Sequence, residues 1–191
     1  MNLPNKLTVL RIFMAPIFLI TLVCDFPFHY PISLGLFIVA SLTDLVDGKY
    51  ARKHKLVTDF GKFLDPLADK MLTTAAFLGF IALNIGQGIV FITFIVLVRE
   101  FLITSLRLIS VGKGKVIAAN IWGKAKTVSQ MVGIILAILV QCIISMEILP
   151  QKAVEISGMI VTGALWISAA LTIISGVIYL VDNIEYIDYR K

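Results

Sequence analysis

Residues 44–52 read D-L-V-D-G-K-Y-A-R, and residues 61–69 read G-K-F-L-D-P-L-A-D. Apolar stretches flank both segments, so the aspartates fall inside helices that we predict to cross a membrane. Carboxylates at membrane depth are costly and rare, and they mark a functional site by default. The two carboxylates are three residues apart in the first segment and four apart in the second, so each pair shares one face of a helix. The four aspartates are Asp44, Asp47, Asp65 and Asp69.

The composition of the whole chain is that of an integral membrane protein. Of its 191 residues, 59% are hydrophobic and 15% are charged, and the mean hydropathy is +0.95. A soluble domain is less apolar and more densely charged. Each of six apolar segments is long enough to cross a bilayer, which takes about 20 residues. We therefore predict an all-α polytopic membrane protein with six transmembrane helices, folded as a single domain over residues 1–191. The segments are 8–25, 32–50, 64–84, 88–109, 126–147 and 157–181.

The positions of the charged residues predict the orientation and exclude one class of partner. The net charge of +5 lies in a few short connections, with no aromatic-studded basic face of the kind that nucleic-acid binders present. Connections 25–31, 84–88 and 148–156 hold a single lysine, Lys152. By the positive-inside rule, both termini and the aspartates are cytoplasmic, in a plasma membrane of bacterial type. Most basic residues lie in the N-terminus, in residues 49–62 and 110–126, and in the C-terminal tail.

Carboxylates at this density require cations between them. Hard divalent cations prefer carboxylate oxygens, and two metals about 4 Å apart can clamp a transferring phosphoryl group. Gly48, Ala51 and Gly61 remove side-chain bulk beside the aspartates, so a large ligand can lie against the helix backbones, and Arg52 adds a positive charge. The alternative is structural pairing with nearby basic residues, which explains one or two of the carboxylates but not two same-face pairs. Those basic residues are Lys49, Arg52, Lys62 and Lys70.

The pattern D-x2-D-G-x2-A-R-x8-G-x3-D-x3-D is met at every position between 44 and 69. It resembles the signature of the CDP-alcohol phosphatidyltransferases, six-helix membrane enzymes of phospholipid synthesis. The resemblance implies that an alcohol hydroxyl attacks the β-phosphorus of CDP-diacylglycerol and releases CMP. It further implies that the four aspartates bind two divalent cations, Mg²⁺ or Mn²⁺, and that Asp69 is the base. Gly48, Ala51 and Arg52 would line the cytidine nucleotide, and a homodimer would form through the third and fourth helices.

Basic residues outside the signature indicate what the acceptor carries. Arg107, Lys124 and Lys126 are expected at the same interfacial depth as the aspartates. Cationic side chains together with the backbone N–H groups of a helix start make a good anion site. An acceptor that carries its own phosphate suits such a site, whereas a bare alcohol has no need of it.

Other basic residues have two interpretations each. Lys113 and Lys115 either contact substrate or anchor their loop to the anionic headgroups of membrane lipids. Arg99 either contacts substrate or pairs with a carboxylate near Glu100 and stabilises helix packing.

Three shorter stretches resemble the phosphatidylglycerophosphate synthase branch of the family, whose acceptor is sn-glycerol 3-phosphate. In the first of them, Asn5, Thr8 and Arg11 either hold the pyrophosphate of the donor or cap the first helix, with Arg11 snorkelling to the interface. The stretches are residues 2–11, 99–107 and 123–127.

Three competing functions remain open at this point. A sibling enzyme would use inositol phosphate, serine or phosphatidylglycerol as its acceptor. A small cation transporter would use the aspartates as an ion path, but such a path needs carboxylates distributed across the membrane, and these lie on one side. A non-enzymatic lipid-binding scaffold would have no use for the metal site.

Overall fold

The computed structural model describes residues 3–54, 59–112 and 121–183; within them, the side chains of 3–6, 44–54, 59–66, 69 and 111–112 lie outside the description. The described residues form six α-helices and no strand, which confirms the all-α prediction. The helices are α1 (Leu3–Val23), α2 (His29–His54), α3 (Asp59–Ala82), α4 (Ile89–Gly112), α5 (Ile121–Ile144) and α6 (Gln151–Asp182).

Each helix contains most of one predicted apolar segment and differs from it mainly at a charged end. α2 continues past residue 50 to His54, and α3 begins at Asp59 instead of 64. Hydropathy falls where Lys, Arg and Asp residues begin, but these residues do not prevent i→i−4 backbone hydrogen bonding. The helical backbone therefore continues through the acidic segment, beyond the apolar stretch.

Three of the six helices have the length and apolar composition of membrane spans. Among the described residues, three stretches are long and apolar enough to cross a bilayer: Ile89–Ser110, Ile121–Ile144 and Gln151–Asp182. The first three helices contribute shorter apolar stretches, so the six-span topology remains a prediction. Large hydrophobic side chains point outward along the bundle, a surface that suits lipid and not water. Examples that are at least 60% exposed are Phe13, Phe91, Phe94, Phe101 and Leu108.

The larger of the two apolar core clusters lies toward one end of the bundle. The turns at 24–28, 83–88 and 145–150 define what we call the turn end, and the opposite end, where α2 ends and α3 begins, is the motif end. α1 packs on α2 and α3, α5 packs on α2 and α6, and α4 packs on α3 and α6. Large side chains interlock between these helices toward the turn end and exclude solvent there. They include Phe18, Leu22, Phe37, Phe77, Phe80, Ile92, Ile134, Ile138 and Leu165.

The chain reverses tightly at the turn end. Phe28, Asn84 and Glu147 have φ of 63°, 54° and 55°, one left-handed residue in each turn. The α3–α4 turn is also fixed to α6, because Trp166 Nε1 donates to the carbonyl of Gln87 at 3.0 Å. These contacts close the turn end of the bundle.

Buried polar side chains are concentrated toward the motif end. Several hydroxyls there donate to a carbonyl of their own helix, as Ser110 does to Leu106 (2.9 Å) and Thr172 does to Ser168 (2.7 Å). Such bonds satisfy a hydroxyl where water is absent. The buried polar residues of this half include Thr8, Arg11, Ser110, Lys126, Gln130, Ser168, Thr172, Ser175 and Asn183.

The close approach of α1 to α3 depends on Gly79. A Cβ at Gly79 would lie 2.5 Å from Leu22 Cδ2, whereas a Cβ at Gly35 would meet nothing within 4 Å. Gly79→Leu should therefore destabilise the protein by about 1–3 kcal/mol through overpacking. The measurement is thermal unfolding in detergent, with Gly35→Leu as the matched helical control. An unchanged melting temperature for Gly79→Leu would contradict this account of the α1–α3 contact.

Candidate active site

The backbone of all four predicted metal ligands is helical. Asp44 and Asp47 lie on α2, and Asp65 and Asp69 lie on α3. The spacing argument requires helical backbone at these positions, because only then do residues three or four apart share a face. The side chains of the signature residues lie outside the description, as does that of Asn5, so their ligand roles stay predictions. The other signature residues are Gly48, Ala51, Arg52 and Gly61.

Two polar residues of α1 face the interior of the bundle. Thr8 and Arg11 are only 3% and 4% exposed. They are three residues apart and share a face with Ala15, which is also buried, and α1 packs on α3 through much of its length. Arg11 is therefore enclosed by protein and does not extend along the lipid-facing surface. This position suits the interpretation in which α1 faces the donor.

Glu100 is the centre of an ion cluster that joins three helices and is buried at Lys126 but partly exposed at Lys70. Its Oε1 accepts hydrogen bonds from Lys126 Nζ of α5 and from Arg99 Nη1, the latter at 3.2 Å. Its Oε2 lies 3.7 Å from Lys70 Nζ of α3. The side chains of Lys126, Arg99 and Glu100 are 6%, 13% and 16% exposed. Arg99 thus pairs with Glu100 itself, which agrees with the structural interpretation of that arginine.

Lys70 connects this cluster to the acidic segment. Its ammonium donates to the backbone carbonyl of Glu100 at 3.3 Å and to the hydroxyl of Thr104. The Thr104 hydroxyl in turn donates to the same carbonyl at 2.6 Å. Lys70 directly follows Asp69 on α3. One cation of the cluster therefore directly follows a predicted metal ligand in the sequence.

The two predicted acceptor lysines of α5 occupy different environments. Lys126 is buried in the cluster, whereas Lys124 is exposed. Residues two apart on a helix point to nearly opposite sides. The structure therefore brings Lys126, and not Lys124, to Glu100.

Arg107, the third predicted acceptor residue, contacts α6. Its Nε donates to the hydroxyl of Tyr179 at 3.1 Å, and its guanidinium carbon lies 5.5 Å from the centre of the Tyr179 ring. Tyr179 is 2% exposed. The sequence reasoning did not include Tyr179, because its partner is 72 residues away.

A polar contact between α5 and α6 continues the interior of the site. Gln130 lies one turn beyond Lys126, and its Nε2 donates to Thr172 Oγ1 at 3.4 Å. The sequence reasoning missed both residues, although the i,i+4 spacing of Lys126 and Gln130 indicates a shared polar face. Lys70 and Glu100 were also missed as site residues. Their signal was the rarity of charged residues in apolar helices.

Comparison with known proteins shows the family of this chain. A family model described as CDP-alcohol phosphatidyltransferase matches residues 1–179. The Bacillus subtilis (strain 168) protein named CDP-diacylglycerol–glycerol-3-phosphate 3-phosphatidyltransferase is 39% identical, over 96% of each chain. The Rickettsia bellii (strain RML369-C) protein of the same name is 37% identical, over 93% of each chain. A Haemophilus influenzae protein of that name is 36% identical, over 70% of this chain and 73% of its own.

The chain belongs to the CDP-alcohol phosphatidyltransferase family, as its signature predicted. It is a membrane enzyme of phospholipid synthesis that transfers a phosphatidyl group.

The contact between Arg107 and Tyr179 yields a graded test of how α4 is held against α6. Tyr179→Phe keeps the ring but removes the hydrogen-bonding hydroxyl, and should cost about 1 kcal/mol. Tyr179→Leu also removes the ring beneath the guanidinium and should cost more. Thermal unfolding in detergent measures both. Equal stability of the wild type and both variants would exclude a packing role for this contact.

Proposed function

We propose that this protein transfers the phosphatidyl group of CDP-diacylglycerol to sn-glycerol 3-phosphate, giving phosphatidylglycerophosphate and CMP. The observation that carries the proposal is the partly buried cluster of cationic side chains at Glu100, which reaches α3 through Lys70, directly after Asp69 in the sequence. A phosphate group on the acceptor would bind these cations while its hydroxyl faces the aspartates. The printed names of the bacterial relatives, given above, support the same pair of substrates.

On the donor side, the proposal assigns binding of the nucleotide and pyrophosphate to the signature and to α1. On this proposal, the small residues Gly48, Ala51 and Gly61 line CDP-diacylglycerol along α2 and α3, and the positive charge of Arg52 attracts its phosphates. Asn5 and Thr8 of α1 are assigned to its pyrophosphate. Burial of Thr8 on the face of α1 that packs inward supports this part.

The aspartates provide a donor set of four carboxylates, which suits hard divalent cations and offers no thiolate or imidazole. Among the side chains that the structure describes, no group of three or more His, Cys, Asp or Glu residues could hold a metal. Two cations, Mg²⁺ or Mn²⁺, would be held by Asp44, Asp47, Asp65 and Asp69, and would supply charge neutralisation and a lowered hydroxyl pKa when bound.

In the transfer step, the acceptor oxygen forms a bond to the β-phosphorus as the bond between that phosphorus and the bridging oxygen breaks. The hydroxyl proton passes to Asp69, and the bridging oxygen leaves with CMP. Holding both substrates at fixed positions lowers the barrier by converting a bimolecular reaction into an intramolecular one.

On the acceptor side, Lys126 binds the phosphate from within the bundle, and Arg107 and Lys124 contribute positive charge from its surface. Lys126 is placed by its ion pair, Arg107 by Tyr179. Lys124 is exposed, so its contribution depends on long-range attraction and is screened by salt.

The proposal also includes an orientation and an assembly. Both termini and the active site face the cytoplasm of a bacterial cell, the chain forms a single domain, and two copies associate through α3 and α4. The distribution of Lys and Arg supports the orientation. Cysteine labelling at the turn end tests the orientation. Mass measurement in detergent tests whether two copies associate.

Replacing the aspartates tests the metal site. Asp65→Asn and Asp69→Asn should each reduce CMP release from CDP-diacylglycerol by roughly a thousandfold or more, because each removes a ligand that acts with the others as a unit. Asp59→Asn is the matched control, since Asp59 is also on α3 but outside the signature. Activity of Asp69→Asn near that of Asp59→Asn would contradict the assignment, provided both variants unfold at the wild-type temperature.

Removing the divalent cations should reduce CMP release, as replacing the aspartates does. EDTA should abolish CMP release, and excess Mg²⁺ or Mn²⁺ should restore it, whereas Ca²⁺ should restore less because its coordination is larger and looser. Full activity in EDTA after extensive dialysis would argue against a metal-dependent reaction.

The two lysines of α5 provide a matched pair for the acceptor site. Lys126→Gln should raise KM for sn-glycerol 3-phosphate by about tenfold or more, because a charge-assisted hydrogen bond contributes about 1.5–3 kcal/mol. Lys124→Gln should raise it by about threefold or less, and that increase should vanish in high salt. A larger effect at Lys124 would place the acceptor on the outer face of α5.

The acceptor assay discriminates among sibling functions. Purified protein supplied with labelled CDP-diacylglycerol should release CMP with sn-glycerol 3-phosphate. Inositol phosphate, serine and phosphatidylglycerol should yield no product. A product with one of these, and none with sn-glycerol 3-phosphate, would replace the proposed acceptor. Ion flux in proteoliposomes without CMP release would instead indicate a transporter.

A further inference from the structure

Lys70 joins α3 to a single turn of α4. Its ammonium donates to the backbone carbonyl of Glu100 at 3.3 Å and to the hydroxyl of Thr104, and it lies 3.7 Å from the carboxylate of Glu100. The Thr104 hydroxyl donates to the same carbonyl at 2.6 Å. Since an ammonium has three donors, it can make all of these contacts at once. They tie one residue of α3 to two residues of α4 that are one turn apart.

The same turn of α3 is also held on another side. Ala68 and Leu72 are four residues apart and share a face of the helix, and their exposed fractions are 0% and 4%. Lys70 is two residues from each of them, and residues two apart on a helix point to nearly opposite sides. Buried packing on one side and polar contacts with α4 on the other therefore restrain both the position of this turn and its rotation about the helix axis.

Asp69 belongs to this turn. It lies between Ala68 and Lys70 in the sequence, and Asp65 precedes it by one turn of the same helix. Consecutive residues of a helix are only about 1.5 Å apart along its axis, so a shift of the backbone at Lys70 is a shift at Asp69. Mg²⁺ demands near-ideal octahedral geometry from its ligands. A metal ligand on α3 therefore depends on how this turn is held.

We infer that Lys70 is a positioning residue for the metal site: with Glu100 and Thr104 of α4, it fixes the turn of α3 that carries Asp69. This inference rests on the proposed function, which assigns Asp69 to the divalent cations, and adds Lys70, Glu100 and Thr104 to it. Lys70 acts through the helix backbone and does not coordinate the cation, because an ammonium is a donor without an acceptor lone pair.

Mn²⁺ binding to the purified protein in detergent, without donor or acceptor, measures this role. Electron paramagnetic resonance of free Mn²⁺ gives the Kd. Lys70→Met keeps most of the side-chain length and removes the ammonium, and Thr104→Val keeps the shape and removes the hydroxyl. The Kd should rise about tenfold or more in both variants, because partners that orient metal ligands typically contribute about 10–100-fold in metal affinity.

The sign of the change in Lys70→Met distinguishes positioning from charge. Removing a positive charge near a cation site lowers the repulsion of the cation, so the loss of charge alone should lower the Kd for Mn²⁺. A higher Kd therefore reports misplaced ligands. Thr104→Val changes no charge at all, and it keeps the test decisive if Lys70→Met does not fold.

Each variant has a matched control. Thr93→Val also removes a hydroxyl from α4, but that hydroxyl donates to the carbonyl of Ile89 in its own helix, at 2.8 Å. Lys152→Met removes an exposed ammonium near the start of α6. Both controls should bind Mn²⁺ as the wild type does. Thr104→Ser retains the hydroxyl and should also bind Mn²⁺ with nearly wild-type affinity.

Asp69→Asn separates failure of this inference from failure of the proposed function. If Asp69→Asn weakens Mn²⁺ binding but Lys70→Met and Thr104→Val do not, the metal assignment stands and the positioning role is refuted. If Asp69→Asn binds Mn²⁺ as tightly as the wild type, the metal assignment is wrong, and the inference with it.

Kinetics with the acceptor distinguish two further outcomes. A raised KM for sn-glycerol 3-phosphate in Lys70→Met, with unchanged or tighter Mn²⁺ binding, would make Lys70 an acceptor contact and overturn its positioning role. If the wild type makes no product with sn-glycerol 3-phosphate but both variants bind Mn²⁺ more weakly, the proposed acceptor is wrong and the positioning role stands.

Discussion

A charge inside an apolar helix bundle must be paired, and in the described part of this protein the pairing converges on Glu100. The carboxylate lies midway along α4 and reaches Lys70 on α3 and Lys126 on α5. Helices in lipid gain little from burying apolar surface against one another, so specific polar contacts weigh more in setting their relative positions. The ion cluster therefore fixes how three helices meet, and its α3 member, Lys70, directly follows Asp69 in the sequence.

The two ends of the bundle differ in composition: apolar side chains pack at the turn end, and polar and charged side chains gather at the motif end. Aromatic and aliphatic side chains interlock toward the turn end, with Phe18, Phe37 and Phe80 fully buried. The motif end has an interior of hydroxyl, amide and charged groups, such as Gln130 and Thr172. A polar interior packs less favourably unless each group has a partner. Concentrating the apolar core at the turn end lets the other half carry charges that a reaction of phosphates requires.

Sequence reasoning predicted the helices well and their ends less well. Hydropathy found all six helices, because a membrane span needs a long apolar run. It placed the end of α2 and the start of α3 within the apolar stretches, since hydropathy does not report backbone hydrogen bonds. The sequence analysis predicted the same role for Lys124 and Lys126. The structure places Lys124 at the surface of α5 and Lys126 in the interior of the bundle.

Sequence reasoning identified several residues of the site but not the contacts that those residues make. Arg11 was left between a donor contact and snorkelling, and its burial depends on α1 packing on α3, a contact between helices that are not consecutive. Glu100 attracted notice only as the neighbour of Arg99, because its other partners are 26 and 30 residues distant. Local periodicity reports which face of a helix is polar, but not which helix that face meets.

Under the proposed function, the choice of acceptor depends on the part of the protein outside the signature. The signature would then handle the CDP-linked donor, which sibling enzymes share, so it would not distinguish a phosphorylated acceptor from serine. The cluster on α3, α4 and α5 brings three cationic side chains together at Glu100. Hydrogen bonds from cationic groups to a phosphate are roughly twice as strong as those between neutral groups. On this proposal, specificity for a phosphorylated acceptor follows from cations that three different helices hold outside the signature.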